Sequence, residues 1–163
     1  MAAKPTAHEG EGTVTREQLI GLLNEDLSRE YQAIIAYVVY SQVLKGAAYM
    51  NIAAELAVDA TEELSHALTI AKLIDYLGGM PTATAQPVKT SEKAEDMLRF
   101  DLENENETIR NHRERVRQCE VLDEYAMAEH IRQILVTEQE HQSDLASALG
   151  IDVPDASAPR KRK

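Results

Sequence analysis

Four long segments of the chain carry apolar residues at alternating spacings of three and four positions, which is the spacing that lines one face of an α-helix. The spacing predicts helices over residues 16–44, 47–77, 91–119 and 123–149. The apolar residues that carry the pattern are Leu23, Leu27, Ile34 and Leu44 in the first segment, Ile52, Leu56, Ile70, Leu73 and Leu77 in the second, Leu98, Leu102, Ile109 and Val116 in the third, and Met127, Ile131, Ile134 and Leu145 in the fourth.

Local signals mark the ends of these segments. The run from Thr15 to Gln18 has the form of a capping box that opens a helix. Gly46 predicts a break after the first helix, and the Gly78-Gly79 pair predicts the end of the second. Ser91-Glu92 is a candidate cap for the third helix.

The segment lengths predict how the helices connect. Each helix would be about 40 to 45 Å long, and the linker before Thr90 spans a similar distance when it is extended, at about 3.3 Å per residue. We therefore predict an all-α four-helix bundle with a long crossover that makes the second and third helices parallel. The bundle covers residues 15–150, between a flexible tail (1–14) and an irregular basic tail (151–163) that ends in Arg160-Lys161-Arg162-Lys163.

Composition and charge narrow the class of protein. The 163 residues are 44% hydrophobic and include no Trp and one Phe, which argues against a β-sandwich or barrel. A net charge of −11 disfavours binding to nucleic acid or anionic membrane and favours cations. Cys119, the only cysteine, excludes an internal disulfide and a CxxC motif. With no signal peptide and no membrane span in the sequence, we expect a cytoplasmic protein.

Ionisable residues interrupt each apolar stripe near its middle. The first and third helices each contribute a glutamate, and the second and fourth each contribute Glu-x-x-His. These residues are Glu30, Glu63, His66, Glu105, Glu138 and His141. Glu63 follows Glu30 by 33 residues, and Glu138 follows Glu105 by the same interval. The chain therefore repeats one pattern twice, with the glutamates at equal distances from the two turns.

Four buried carboxylates at one level repel one another strongly, and bare burial of each ion costs several kcal/mol. Two divalent cations would balance four carboxylates and two neutral imidazoles. We assign Glu63 and Glu138 as bridging ligands, Glu30 with His66 as the ligands of one metal, and Glu105 with His141 as those of the other. Oxygen and nitrogen ligands without thiolate favour Fe, with Mn as an alternative. The competing interpretation is that the two Glu-x-x-His motifs lie on solvent-exposed helix faces and bind no metal.

The motifs around these residues resemble those of the ferritin-like superfamily, and of bacterioferritin most closely. They are Leu27-Ser28-Arg29-Glu30, Glu63-Leu64-Ser65-His66, the run from Met97 to Glu105, and Glu138-Gln139-Glu140-His141. The likeness covers about residues 16–149. It implies that all six residues are metal ligands and catalytic residues, and that Tyr37 lies beside the metals, although core packing alone would also explain Tyr37.

This resemblance implies a ferroxidase that oxidises Fe²⁺ to Fe³⁺ with O₂ or H₂O₂, for iron storage or detoxification and protection against oxidative stress. It also implies a hollow homo-oligomer of 12 or 24 subunits. Leu64 replaces the methionine that binds haem in bacterioferritin, so we predict no haem. Pro154 and Pro159 replace the fifth helix of the larger cage. That difference favours a 12-subunit, Dps-like shell.

Two other functions remain open from the sequence. One is a di-iron or di-manganese peroxidase or catalase without storage. The other is a DNA-binding, Dps-like protective shell in which the metals mainly stabilise the bundle. Residues Arg160 to Lys163 could contact DNA, but the net charge of −11 favours a solubilising role for this tail.

Overall fold

Each predicted helix is present, and the prediction of an all-α four-helix bundle is confirmed. The structure is a computed structural model that describes residues 13–157. Its helices are α1 (Arg16–Val43), a single 3₁₀ turn (Ala47–Tyr49), α2 (Met50–Tyr76), α3 (Ala94–Val121) and α4 (Tyr125–Ala148). Most of the predicted N-terminal tail and the basic run Arg160–Lys163 lie outside the described residues.

The predicted capping box starts α1, and the predicted glycines follow the ends of α1 and α2. The Thr15 hydroxyl accepts a hydrogen bond from the Gln18 backbone N–H at 3.1 Å, and the Gln18 side chain accepts one from the Thr15 N–H at 2.9 Å. After α1, Gly46 adopts φ 103°, and after α2, Gly78 adopts φ 86°. Side chains other than glycine rarely adopt these angles, so both glycines allow the chain to leave its helix.

The starts of α3 and α4 differ from the predictions by two or three residues. Ser91 lies in the turn before α3 and does not cap it, because its hydroxyl accepts from the Lys93 N–H and donates to the Asp96 carboxylate. Lys93 is the N-cap instead. Before α4, Asp123 has a left-handed backbone with φ 59°, which delays the helix to Tyr125.

A ladder of polar side chains on α1 fixes the crossover between α2 and α3. Three side chains, spaced four residues apart on α1, donate hydrogen bonds of 2.7 to 3.1 Å to crossover carbonyls: Asn24 to Met80, Ser28 to Thr84, and Gln32 to Pro87. The crossover therefore follows α1 from its start towards its end. α3 consequently begins at the far end of the bundle and runs parallel to α2.

Two apolar clusters fill the bundle, one towards each end. The first contains buried residues such as Leu19, Leu23, Ile70, Ile74 and Ile131. The second contains buried residues such as Tyr40, Leu56, Leu98, Leu102 and Leu145. The ionisable level lies between these clusters, so its side chains are held in a water-poor interior. Among residues 13–157, no helix is long and apolar enough to cross a membrane.

Candidate metal centre

The six residues predicted as ligands lie together in the interior of the bundle. His66 is the most exposed of the six residues at 7%, and the other five are exposed by 3% or less. Their nitrogen and oxygen atoms form two compact groups. One group is Glu30, Glu63, His66 and Glu138, and the other is Glu63, Glu105, Glu138 and His141. Glu63 and Glu138 belong to both groups.

The shared carboxylates each point one oxygen towards each imidazole. Glu63 places Oε2 at 3.2 Å from Nδ1 of His66 and Oε1 at 3.0 Å from Nδ1 of His141. Glu138 places Oε1 at 3.1 Å from Nδ1 of His66 and Oε2 at 3.5 Å from Nδ1 of His141. Both imidazoles therefore direct Nδ1 to the same pair of carboxylates from opposite sides.

Many of these buried atoms lack a hydrogen-bond partner among the described residues. They include both oxygens of Glu30, Oε1 of Glu63, Oε2 of Glu105, Oε1 of Glu138 and Nδ1 of His141. An unpaired polar atom in a protein interior costs about 1 to 3 kcal/mol. Several electron-pair donors converge here without proton donors to match them. The donor set therefore fits two cations of the oxygen- and nitrogen-binding class.

Without metal, bound protons would compensate the charge. Burial, followed by the charges of Glu138 and Glu63, raises the pKa of Glu30 and of Glu105 well above the usual value. Burial also opposes ionisation of Glu63 and Glu138, but their polar contacts, those with the two imidazoles foremost, outweigh burial and lower both pKa values.

The imidazoles hold the other protons. Burial opposes charging of His66, but the nearby carboxylates of Glu138, Glu30 and Glu63 outweigh burial and raise its pKa to about 12. The pKa of His141 is raised for the same reason by Glu138 and Glu63. Two imidazolium ions thus balance two carboxylates, while two glutamic acids stay neutral.

The surroundings define two sides of the centre. The His141 side contains His141, Glu105, Asp59, Glu62 and Asp101. Nε2 of His141 lies 2.8 Å from Glu62 and 3.6 Å from Asp59, and these three residues form a further group that could hold a metal ion. The side chain of Glu62 is 44% exposed, so this side reaches the protein surface. Burial, the largest effect, raises the pKa of Asp59 to about 7.

The His66 side contains His66, Glu30, Asp26, His112 and Arg115. Arg115 donates two hydrogen bonds to the buried Asp26 carboxylate, at 2.6 and 3.1 Å. Burial lowers the pKa of His112, so this imidazole is neutral at pH 7. His112 is fully buried.

Sequence reasoning missed several buried polar residues around the ligands. Asp26 and Asp101 each precede a ligand glutamate by four residues, so a second acid one helical turn earlier was the available signal. Arg115 gave no such signal, because it lies among other charged residues. Of the two glutamates that flank Glu105 on α3, Glu103 is exposed and Glu107 is half-buried.

Tyr37 is fully buried beside Glu105. Its hydroxyl donates a hydrogen bond to Oε1 of this carboxylate. Burial and the charge of Glu105 raise the pKa of Tyr37 well above its usual value, so the phenol keeps its proton. Its contact with a predicted ligand goes beyond the apolar packing that was the alternative.

Comparisons with known proteins agree with this architecture. The ferritin-like domain matches residues 20–152. A bacterioferritin from Brucella melitensis is 24% identical over 140 residues, which cover 82% of this chain and 87% of that protein. A bacterial ferritin from a Synechocystis species is 25% identical over 135 residues, which cover 82% of this chain and 86% of that protein.

Two solved structures share the fold. A ferritin-like, diiron-carboxylate protein from Bacillus anthracis is 30% identical with a TM-score of 0.79, and the match covers 82% of this chain and 96% of that one. A dodecameric thioferritin from Bacteroides fragilis, described as a bacterioferritin-related protein, is 27% identical with a TM-score of 0.77, and the match covers 86% and 89% of the two chains.

Proposed function

This chain belongs to the ferritin-like domain family, and we propose that it is a ferroxidase, which oxidises Fe²⁺ to Fe³⁺ with O₂ or H₂O₂ at a dinuclear centre inside each subunit. Glu63 and Glu138 are the bridging ligands. Glu30 and His66 complete one metal position, and Glu105 and His141 complete the other.

The observation that carries this proposal is the sharing of Glu63 and Glu138 by both four-residue groups. A carboxylate with one oxygen on each side holds two cations at a short separation. Four carboxylates and two neutral imidazoles carry four negative charges, which two divalent ions cancel. The diiron-carboxylate protein from Bacillus anthracis, which shares this fold, supports iron as the metal.

The protein's part in the reaction is to hold two Fe²⁺ substrates, exclude bulk water and manage protons. The iron substrates supply the electrons: two Fe²⁺ lose one electron each, and these electrons with two protons reduce one H₂O₂ to two water molecules. The carboxylates of the centre favour Fe³⁺ over Fe²⁺ because their negative charge stabilises the higher cation charge. The Tyr37 hydroxyl holds the Glu105 carboxylate by its hydrogen bond.

The His141 side offers a route for the cation. The part-exposed Glu62 and the buried Asp59 lie beside Nε2 of His141, and Glu63 lies on the other edge of the same ring. Fe²⁺ captured by Glu62 and Asp59 would therefore need to pass only one residue to reach the centre. Above pH 7 Asp59 is ionised, which strengthens this attraction.

Stopped-flow oxidation of Fe²⁺ tests the proposed activity. We expect the wild type to produce a rapid near-ultraviolet absorbance of Fe³⁺ when O₂ or H₂O₂ is added to the anaerobic protein with two Fe²⁺ per subunit. Glu105→Gln should slow this phase at least about 100-fold. Glu103→Gln is the matched control, because it makes the same change two residues away on α3 at an exposed position. Equal rates in the wild type and Glu105→Gln would refute the proposal.

The products distinguish this function from its alternatives. Retention of many iron atoms per particle supports storage or detoxification, whereas turnover of H₂O₂ without iron retention would support a peroxidase or catalase. A Glu105→Gln protein that loses only thermal stability would support a structural role for the metals.

We also propose a homo-oligomeric shell of twelve subunits. The Bacteroides fragilis relative is dodecameric, and α1 and α2 expose apolar side chains such as Val38, Leu64 and Leu68 that a partner could cover. Light scattering measures the particle mass directly, and a mass of 24 subunits would contradict the proposal.

Leu64 offers no sulfur ligand, so added haem should give no stoichiometric absorbance band, whereas Leu64→Met tests whether a sulfur at this position restores one.

A further inference from the structure

The buried imidazole of His112 faces the carboxylate of Glu30 across a short gap. Nε2 of His112 lies 3.5 Å from Oε1 of Glu30, and the side chain of His112 is 0% exposed. Neither ring nitrogen of His112 and neither oxygen of Glu30 has a hydrogen-bond partner among the described residues. Two atoms that are able to hydrogen-bond thus face each other without a partner in the core. A movement of about half an ångström would bring them into hydrogen-bond range.

The internal repeat gives this contact a counterpart. Tyr37 follows Glu30 by seven residues, and His112 follows Glu105 by seven residues. Tyr37 donates to Glu105, the glutamate of the other half, and His112 faces Glu30, again the glutamate of the other half. Each half of the repeat therefore provides a side chain that contacts the terminal glutamate of the other half.

We propose that His112 is a positioning residue for Glu30, through a hydrogen bond from Nε2–H to Oε1. The other oxygen, Oε2, lies 3.6 Å from Nδ1 of His66 and faces the metal position. With Oε1 held, Glu30 presents Oε2 alone to the metal. The inference rests on the proposed function in one respect, namely that Glu30 is a metal ligand.

The neighbouring ion pair explains why a neutral donor suits this place. Arg115 lies one turn after His112 on α3, and its guanidinium is committed to Asp26, which lies one turn before Glu30 on α1. Residues Asp26 and Arg115 therefore fix α1 against α3 at the level beside His112. His112 adds a hydrogen-bond donor there without an additional charge that would compete with a cation.

Binding of Co²⁺, followed by its visible absorbance, tests the inference without any iron oxidation. We expect the wild type to bind two Co²⁺ per subunit. His112→Leu, which removes the donor, should weaken one of the two by about 10- to 100-fold, the range for residues that orient a metal ligand. His112→Gln keeps a donor and should restore the affinity to within about threefold of the wild type.

A double-mutant cycle identifies the partner. In a Glu30→Ala background, His112→Leu should have no further effect on Co²⁺ binding, because the carboxylate that it orients is gone. In the reciprocal cycle, Tyr37→Phe should weaken the other Co²⁺, and its effect should vanish in a Glu105→Ala background. Additive effects of His112→Leu and Glu30→Ala would overturn the proposal.

Other variants also test the positioning role of His112. Unchanged Co²⁺ binding in His112→Leu, or a His112→Gln variant as defective as His112→Leu, would overturn the positioning role. Cys119→Ala, at another fully buried position on α3, controls for general loss of stability and should bind both Co²⁺ normally. If His112→Leu does not fold, His112→Asn tests the same prediction with an amide too short to reach Glu30. A protein that binds two Co²⁺ but does not oxidise Fe²⁺ would refute the ferroxidase alone.

Discussion

The two sides of the candidate metal centre have the same predicted ligand types and opposite surroundings. Each side has one glutamate and one histidine of its own, and both sides share Glu63 and Glu138. The residues outside this set differ. On the His66 side, Arg115 compensates the buried Asp26. On the His141 side, Asp101 and Asp59 are buried with no arginine or lysine paired to them among residues 13–157.

The internal repeat shows where the sides diverge. The position ten residues after the first glutamate is Tyr40 in one half and Arg115 in the other. The position four residues before the bridging glutamate is Asp59 in one half and Ile134 in the other. The repeat therefore gives both sides the same predicted ligand types. The surrounding residues differ, because the buried acid of the His66 side is paired with Arg115, whereas the His141 side is acidic and reaches the surface at Glu62.

The largest expected effect is a loss of stability when the ion pair of the His66 side is broken. Arg115→Met removes the cation and leaves Asp26 buried without compensation, which should lower the free energy of unfolding by about 3 to 5 kcal/mol. Urea denaturation of the apoprotein measures this loss. Arg117→Met, an exposed position on the same helix, is the control and should change stability by less than about 1 kcal/mol. A loss of similar size in both variants would show that the ion pair does not distinguish this side.

The stability of the apoprotein should depend on pH more strongly than that of the Co²⁺-loaded protein. The pKa of His66 is about 12 in the folded chain and about 6.5 in an unfolded one. Between these values the folded state binds more protons than the unfolded state, so stability falls as pH rises above about 6.5, by about 1.4 kcal/mol per pH unit for each such histidine. We expect the melting temperature of the apoprotein to fall from pH 7 to pH 9, and that of the Co²⁺-loaded protein to change much less. An apoprotein whose stability rises over this range would contradict the proton assignment.

Metal loading should also release protons. Two neutral glutamic acids and two imidazolium ions give up about four protons when two divalent cations bind. Calorimetric titration in buffers of different ionisation enthalpy counts them. Release of fewer than about two protons would mean that the carboxylates of the metal-free centre already lack their protons.

A smaller effect is expected on the His141 side, where substitution of Asp59 should weaken the binding of Co²⁺. Asp59 has a pKa of about 7, so Asp59→Asn should lower the affinity for Co²⁺ about 10-fold at pH 8 and hardly at all at pH 6. Ile134→Val is a mild change at the equivalent position of the repeat on the other side and should leave the pH dependence of binding unaltered. An equal loss of affinity at both pH values would show that Asp59 acts by packing and not by its charge.

The smallest expected effect is at the tyrosine that occupies the position equivalent to Arg115. Tyr40 donates a hydrogen bond to the Lys89 carbonyl of the crossover. Tyr40→Phe removes this bond and should cost about 1 kcal/mol, measured by urea denaturation. A loss as large as that of Arg115→Met would abolish the distinction between the two sides.

The four helices, their connection and the six clustered residues were predictable from the sequence alone. Each of these follows from local spacing: glutamate and histidine three residues apart share a helix face, and equal distances from a turn place Glu30 level with Glu63. The apolar stripes on both sides of each ionisable residue indicated burial. These features depend on neighbours along one helix or across one tight hairpin, and one-dimensional spacing encodes such neighbours.

The tertiary structure decided the contacts between the two hairpins. Asp26 meets Arg115 across 89 residues of sequence, and Tyr37 meets Glu105 across 68. No local spacing encodes these pairs, because they depend on the rotation and axial offset of α1 against α3, which packing over the whole bundle sets. The same packing decides which buried acid has a cation beside it.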